Sequence, residues 1–199
     1  MGAGSPGDRS CAKEPTTLFS DGPCLDIYVS SPRRSRDVIE HFLHAYVDVS
    51  ASDDRGDEEL MMVPVGYGGP LRALGRAVEW DWQPVGRLSE IIDLGLAQPP
   101  RAFAVYLEPN DRSLCGTVLA FTRDGRLILG LSVPEPTESR EERERTESLL
   151  LELMAHARVG VGVIAVATPP PLDGSEFEEW VRNPDRYLVL RVITRNPEP

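Results

Sequence analysis

The chain has 199 residues, the length of one ordinary domain and enough to bury a hydrophobic core. Hydrophobic residues make up 41% and charged residues 27%, which excludes collagen-like, coiled-coil and wholly disordered classes. The 32 acidic and 21 basic residues give a formal net charge of -11. This charge disfavours non-specific binding to nucleic acid or to an anionic membrane surface, and it permits a basic protein partner.

Cysteine usage and apolar runs indicate the compartment. The three cysteines, Cys11, Cys24 and Cys115, are an odd number without a CxxC pair, which is typical of a reducing environment. The longest nearly apolar run, residues 159–172, is too short and too rich in Gly and Pro to span a bilayer, and the N-terminus does not resemble a signal sequence. We therefore expect a cytoplasmic protein without membrane contact, and no motif indicates a cofactor.

Strand and helix patterns follow one another through the first half. Residues 1–23 mix Gly, Pro, Ser and charge, which predicts a flexible tail. Period-two alternation over 25–31 predicts a half-buried strand, and apolar spacing of three and four over 35–49 predicts an amphipathic helix. Four further elements are predicted in this order: a strand at 60–65, limited by Pro64 to a sheet edge or strand end, a helix after Pro70, a strand at 78–85 and a short helix at 88–96.

The second half opens with the clearest pattern. Apolar segments at 101–108, 114–122 and 127–133 are separated by turns, and the Asp124-Gly125 pair between the last two is a strong hairpin signal. They predict a three-stranded antiparallel meander. Ser139 with Glu142 matches a capping box at the start of a long helix. The remaining predicted elements are a buried strand at 161–168, a short helix at 175–181 and a final strand at 187–193.

The irregular order of strands and helices favours an α+β fold: a single domain with a mixed, largely antiparallel sheet flanked by helices. We expect this domain over residues 24–195, with a possible subdivision near 97–100 and a short tail at 196–199. A strand, proline, Ser-Arg and helix occur in that order at 27–46 and again at 129–155. A duplicated strand-helix unit would produce this weak internal repeat, and so would chance.

Polar residues form a stripe on the first predicted helix. Asp37, His41, His44 and Asp48 are spaced by four, three and four residues, which places them on one face, opposite the apolar face. Two imidazoles and two carboxylates could hold a divalent metal such as zinc. The alternatives are a solvated helix face and a face that binds a partner.

A glycine-rich segment precedes the second predicted helix. Gly66, Gly68 and Gly69 lie just before Pro70, with Arg72 in the first helical turn, so backbone N–H groups and the helix dipole could bind an anion there. The segment matches neither a Walker loop nor the dinucleotide fingerprint. The alternative is a tight turn that needs glycine for its conformation.

Two acidic patches lack an evident counter-charge. In the charged run 138–147, opposite charges pair at i,i+4, as Arg140 with Glu144 and Glu141 with Arg145. Nothing close in the sequence neutralises the two patches in this way. A surface for a basic partner is one interpretation, since complementary charge speeds and selects association, and solubility is the other. The patch residues are Asp53, Asp54, Asp57, Glu58 and Glu59 in the first and Glu176, Glu178 and Glu179 in the second.

The leading functional hypothesis is an acidic protein-binding module. No residue is assigned as catalytic, because Cys115 lies in a strand pattern and the G-x-S-x-G motif of serine hydrolases is absent. Size and acidity resemble those of a bacterial immunity or antitoxin-like inhibitor whose partner is a basic toxin or nuclease, by analogy only. The competing hypothesis is an enzyme, or a binder of a small molecule or metal, with its site near the 66–69 glycines and the Asp37/His41/His44 stripe.

Overall fold

The computed structural model describes residues 24–50, 60–63, 83–85, 87–97, 102–134, 139–171 and 173–195. Within these ranges the strands are β1 Cys24–Ser31, β2 Leu60–Val63, β3 Gln83–Val85, β4 Phe103–Leu107, β5 Gly116–Phe121, β6 Leu127–Pro134, β7 Val161–Val166 and β8 Val189–Thr194. The helices are α1 Arg36–Tyr46, α2 Leu88–Leu96, α3 Arg140–Ala157 and α4 Gly174–Arg182, followed by a 3-10 turn at Pro184–Tyr187.

All of these strands lie in one sheet, in the order β3-β2-β4-β5-β6-β1-β7-β8. Every neighbouring pair is antiparallel. The fold is therefore α+β with an antiparallel sheet, and the predicted β4-β5-β6 meander is confirmed. Strand β1, the first in the chain, lies between β6 and β7 near the middle of the sheet.

Helices pack on both faces of the sheet. Leu25, Ile27 and Val29 of β1 belong to the core cluster that includes buried side chains of α1, α2 and α3. On the other face Tyr28 contacts Trp180 of α4, with the ring centroids 6.0 Å apart, and is only 1% exposed. The prediction that β1 is half-buried is therefore wrong, because α4 covers the face that the alternation had placed in solvent.

The helix boundaries show where tertiary contacts override local pattern. Helix α1 ends at Tyr46 rather than at 49, because Val47 forms an isolated bridge with Pro109 instead. Helix α2 has the predicted bounds. Ser139 is the N-cap of α3, but its side chain makes no capping hydrogen bond, so the expected capping box is not formed.

The pairing register places the chain reversals at two opposite ends of the strands. Ser31 pairs with Leu127, Phe121 pairs with both Leu127 and Phe103, and these residues mark one end. Leu107 of β4 lies at the other end. Helix α1 runs from the first end to the second, and α3 runs back.

The two strand-helix units of the weak internal repeat, 27–46 and 129–155, are neighbours in space. Strands β1 and β6 pair along their whole length, and the helices that follow them, α1 and α3, contact each other. This arrangement is compatible with a duplication, which stays a prediction. The predicted helix after Pro70 and the first part of the 78–85 strand lie outside the described residues.

Candidate functional site

The polar stripe on α1 is exposed, as expected of a face opposite the core: Asp37, His41, His44 and Asp48 all lie in solvent. Among the residues that the structure describes, no group of three or more His, Cys, Asp or Glu side chains is arranged to hold a metal ion. The backbone N–H of Asp48 donates to the Glu108 carbonyl at 2.9 Å. The C-terminal end of the stripe is therefore attached to the β4–β5 turn.

The acidic patch on α4 has counter-charges that the sequence did not suggest. The Glu178 carboxylate accepts a hydrogen bond from Arg126 at 2.9 Å, and that of Glu179 accepts one from Arg186 at 2.9 Å. Sequence neighbours indicated no counter-charge for this patch, whereas tertiary folding brings Arg126 to it from 52 residues away. The patch at 53–59, the 66–69 glycines and Arg72 lie outside the described residues.

Acidic residues that the structure does describe gather where α1 ends. The bridge between Val47 and Pro109 joins the end of α1 to the β4–β5 turn. The Asn110 side-chain amide donates to the Ala45 carbonyl at 2.9 Å and strengthens this junction. Asp48, Glu108 and Asp111 lie around it, and we call these three residues the acidic end.

Asp111 belongs to a local network at the acidic end. Hydrogen bonds from the backbone and side chain of Ser113 hold the pKa of the Asp111 carboxyl below its usual value. Arg145 of α3 lies 3.5 Å from the same carboxylate. Arg145 was predicted to pair with Glu141, and its contact with Asp111 instead ties the first half of α3 to the acidic end.

A cleft lies at the opposite end of the strands. It has a volume of about 450 Å³ and is bounded by the end of β1, the α3–β7 turn and the second half of α4. Three arginines and one glutamate supply its charge, while the rest of the wall is mostly apolar. Its lining residues are Ser30, Pro32, Arg126, Arg158, Val159, Gly160, Val161, Phe177, Glu178, Val181 and Arg182, and we call it the arginine cleft.

Arg34 fixes the turn from which Arg126 reaches the arginine cleft. Its guanidinium donates to the carbonyls of Gly95, at 2.7 Å, and of Arg126, at 3.2 Å, and also to that of Thr122. It lies over the Phe121 ring, 5.4 Å from the centroid, and burial lowers the pKa of Arg34. The β5–β6 turn is therefore held against the β1–α1 connection and α2.

Helix ends position the other two arginines. Arg158 has left-handed backbone geometry, with φ 53°, and terminates α3, while the N–H of the next residue donates to the Met154 carbonyl at 3.0 Å. Arg182 lies in the last turn of α4. A cation at a helix C-terminus is favoured by the helix dipole, which explains each arginine singly.

A buried polar network supports β1 beneath α4. The Asp26 carboxylate accepts hydrogen bonds from the Ser132 hydroxyl at 2.6 Å and from the Thr168 N–H at 2.8 Å. The Tyr28 hydroxyl donates to the Thr168 carbonyl at 2.8 Å, and burial, followed by the nearby Asp26 charge, raises the pKa of Tyr28 well above its usual value. Its internal hydrogen bonds give this network a structural role, anchoring the connection after β7.

Comparisons with models of known protein families, with curated proteins and with solved structures find no match for the chain. Within the described ranges, none of the helices combines the length and apolar character needed to cross a membrane. The acidic end and the arginine cleft are the two candidate functional surfaces of the described residues.

Proposed function

We propose that the chain is a protein-binding module whose contact surface is the acidic end together with residues 53–59. The proposal is carried by the positions of the described residues that flank 53–59 on either side. Ser50 follows the junction of α1 with the β4–β5 turn. Met62 lies opposite Val105 in an antiparallel pair, so Leu60 lies near the Leu107 end of β4. Both flanks of the segment are thus at the acidic end.

The distribution of charge supports the same surface. The described residues include 19 acidic and 15 basic side chains, a net charge of -4, so the other -7 of the total lies in the remaining segments. Residues 53–59 hold five carboxylates and only Arg55 as a cation. Together with those of the acidic end, these carboxylates would present a field that attracts and orients a basic partner.

An apolar contact point accompanies the charge. Val49, beside Asp48, is 39% exposed and is one of only three large hydrophobic side chains with high exposure among the described residues. Protein interfaces combine a desolvated apolar centre with a polar rim, so charge alone would not suffice. Val49 supplies the beginning of such a centre.

The α4 patch has a smaller part in the proposal. Its Glu178 and Glu179 carboxylates already pair with arginines of the same chain. A basic partner would have to compete with these intramolecular pairs, as it would with the Arg145–Asp111 pair of the acidic end, so the five carboxylates of 53–59 supply most of the proposed attraction. The finer hypothesis is that the partner is a basic toxin or nuclease that the chain inhibits, and its support is the acidity, the size and the lack of a catalytic motif.

The test compares two sets of charge-neutralising substitutions. The partner is captured by cross-linking in the source cells, identified by mass spectrometry and purified, and its affinity is measured by calorimetry at several salt concentrations. Converting all five acidic residues of 53–59 to their amides should weaken binding at least about tenfold and flatten its salt dependence. Converting Glu176, Glu178 and Glu179 to glutamine should change affinity by less than about threefold.

Three outcomes would contradict the proposal: a partner without a basic surface, equal losses in the two variants, or an unchanged affinity in the 53–59 variant. If the partner is a nuclease, inhibition of its activity should decline in parallel with affinity in the 53–59 variant. An active nuclease in the complex with the unmodified chain would eliminate the finer hypothesis alone.

A further inference from the structure

The arginine cleft is positively charged in a protein whose net charge is strongly negative. Its charged lining consists of Arg126, Arg158, Arg182 and Glu178, a local excess of two positive charges, whereas the whole chain carries -11. The three arginines come from three separate elements. Gathering like charges in a concave surface is unfavourable unless something neutralises them.

The three arginines differ in their partners. Arg126 is already neutralised, with Glu178 at 2.9 Å and Asp124 at 3.4 Å. For Arg158 and Arg182, no carboxylate of the described residues lies within ion-pair distance. The helix dipole accounts for a cation at the C-terminus of each helix, but it does not account for both cations lining the same cleft. The unneutralised charge of the cleft is therefore the two guanidiniums at 158 and 182.

A hydroxyl on the wall of the cleft adds a donor. The Ser30 Oγ atom is buried and makes no hydrogen bond to any described residue. Ser30 lines the same cleft as the arginines. A buried hydroxyl without a partner is costly, and rotation of the Ser30 side chain would let it donate to an anionic oxygen bound in the cleft.

The rest of the wall suits an apolar group. Phe177, Val181 and Val161 line it, and Pro32 and Val159 extend it. A volume of about 450 Å³ is within the range of small-molecule sites. The cleft therefore offers two donors of positive charge beside an apolar surface of small-molecule size.

We propose that the arginine cleft binds a small phosphate monoester, with the phosphate between Arg158 and Arg182 and an aromatic or aliphatic body against Phe177 and Val181. A phosphate monoester carries a charge near -2 at neutral pH, which matches the two unneutralised guanidiniums, whereas a carboxylate would leave one in excess. Planar guanidinium groups also match phosphate oxygens in paired hydrogen bonds. This site goes beyond the proposed protein-binding function, from which it is separated by the length of the strands.

The test uses a probe that carries both halves of the ligand. Calorimetry of the full chain with 4-methylumbelliferyl phosphate is compared with 4-methylumbelliferone, which lacks the phosphate, and with inorganic phosphate, which lacks the apolar body. The ester should bind at least about tenfold more tightly than either. No binding of the ester up to about 5 mM, or equal binding of the ester and the uncharged phenol, overturns the proposal.

Matched variants locate the binding. Arg158→Gln and Arg182→Gln should each weaken ester binding about tenfold, while Arg123→Gln, an exposed arginine of the β5–β6 turn outside the cleft lining, should leave it unchanged. Val181→Thr keeps the shape of the wall and should weaken binding several-fold. Equal losses in the Arg123 variant and the cleft variants would show a diffuse charge effect and refute the site.

Glu178→Gln provides a test with the opposite sign. It removes the negative charge of the cleft lining and one of the two carboxylates that pair with Arg126, so ester binding should tighten several-fold. Lowering the pH from about 7.5 to 5 should weaken binding, because the phosphate loses its second charge near its pKa of about 6. Weaker binding in Glu178→Gln, or pH-independent binding, contradicts a dianion held by the arginines.

Discussion

Replacing Arg34 with methionine should destabilise the fold by about 2 to 3 kcal/mol. Methionine keeps most of the aliphatic length and removes the charge and all three hydrogen-bond donors. The Thr122 and Arg126 carbonyls also accept hydrogen bonds within their own turn, from the N–H of Gly125 at 3.2 Å and the Thr122 hydroxyl at 2.9 Å. The Gly95 carbonyl lies in the last turn of α2, where the helix provides no N–H donor for it, so it loses most.

The magnitude follows from these unequal losses. A hydrogen bond from a charged donor is worth about 1.5 to 3 kcal/mol, and this is the expected loss at the Gly95 carbonyl. The Thr122 and Arg126 carbonyls lose less because each keeps another donor. The contact with the Phe121 ring adds about 0.5 to 1 kcal/mol, and removing a partly desolvated guanidinium returns part of the total. The free energy of unfolding is measured by urea denaturation, followed by tryptophan fluorescence and circular dichroism.

The neighbouring residue provides the control. Arg33 is exposed, and its side chain has no hydrogen bond or ion pair among the described residues, so Arg33→Met should change the unfolding free energy by less than about 0.5 kcal/mol. If Arg34→Met also lies within that margin, or if the two variants lose the same stability, the guanidinium does not hold the turn. The position assigned to Arg126 in the arginine cleft would then lack its support.

Three further predictions concern stability. Gly95→Ala should destabilise by about 1 to 2 kcal/mol in urea denaturation despite the better helix propensity of alanine, because its Cβ would lie 2.2 Å from the Phe121 ring; a Gly95→Ala/Phe121→Leu double variant should recover part of the loss. Burial raises the pKa of Tyr46 to about 12 from 10.0. The neutral phenol therefore stabilises the fold fully below pH 10.0, and this stability is lost as the pH rises through about 12. Over that interval the free energy of unfolding should fall less in a Tyr46→Phe variant than in wild type. Asp173 caps α4, and hydrogen bonds, first from the Ser175 hydroxyl, lower its pKa. Asp173→Ala should lower the free energy of unfolding by about 1 kcal/mol near neutral pH. This difference between variant and wild type should shrink as the pH falls below about 4 and through the lowered pKa of Asp173.

The elements that local pattern alone determines were predictable. Asp124-Gly125 between apolar runs placed the β5–β6 hairpin, and the 88–96 helix has the predicted bounds. Where a second element intervenes, local pattern fails. The alternation in β1 gave no sign that α4 would cover Tyr28, and the end of α1 depends on the bridge of Val47 with Pro109.

The two candidate surfaces differ in what sequence can reveal. The acidity of 53–59 is a composition signal, visible without a fold, but the placement of its flanks Ser50 and Leu60 at the acidic end needs the α1 junction and the register of β2 with β4. The arginine cleft leaves no such signal, since Arg126, Arg158 and Arg182 share neither spacing nor motif. Only the folded sheet brings them together.

The two ends of the strands have opposite local charge. The charged residues at the two termini of helix α3, which runs between these ends, have the same signs. Helix α3 begins with Glu141 and Glu142 in its first turn, on the side of the acidic end, and terminates at Arg158 in the arginine cleft. Acidic residues at a helix N-terminus and basic residues at its C-terminus both stabilise the helix dipole. Arg158 of the arginine cleft is thus also favourable for α3, so Arg158→Gln must be compared with wild type in stability before its loss of ester binding is attributed to the missing contact.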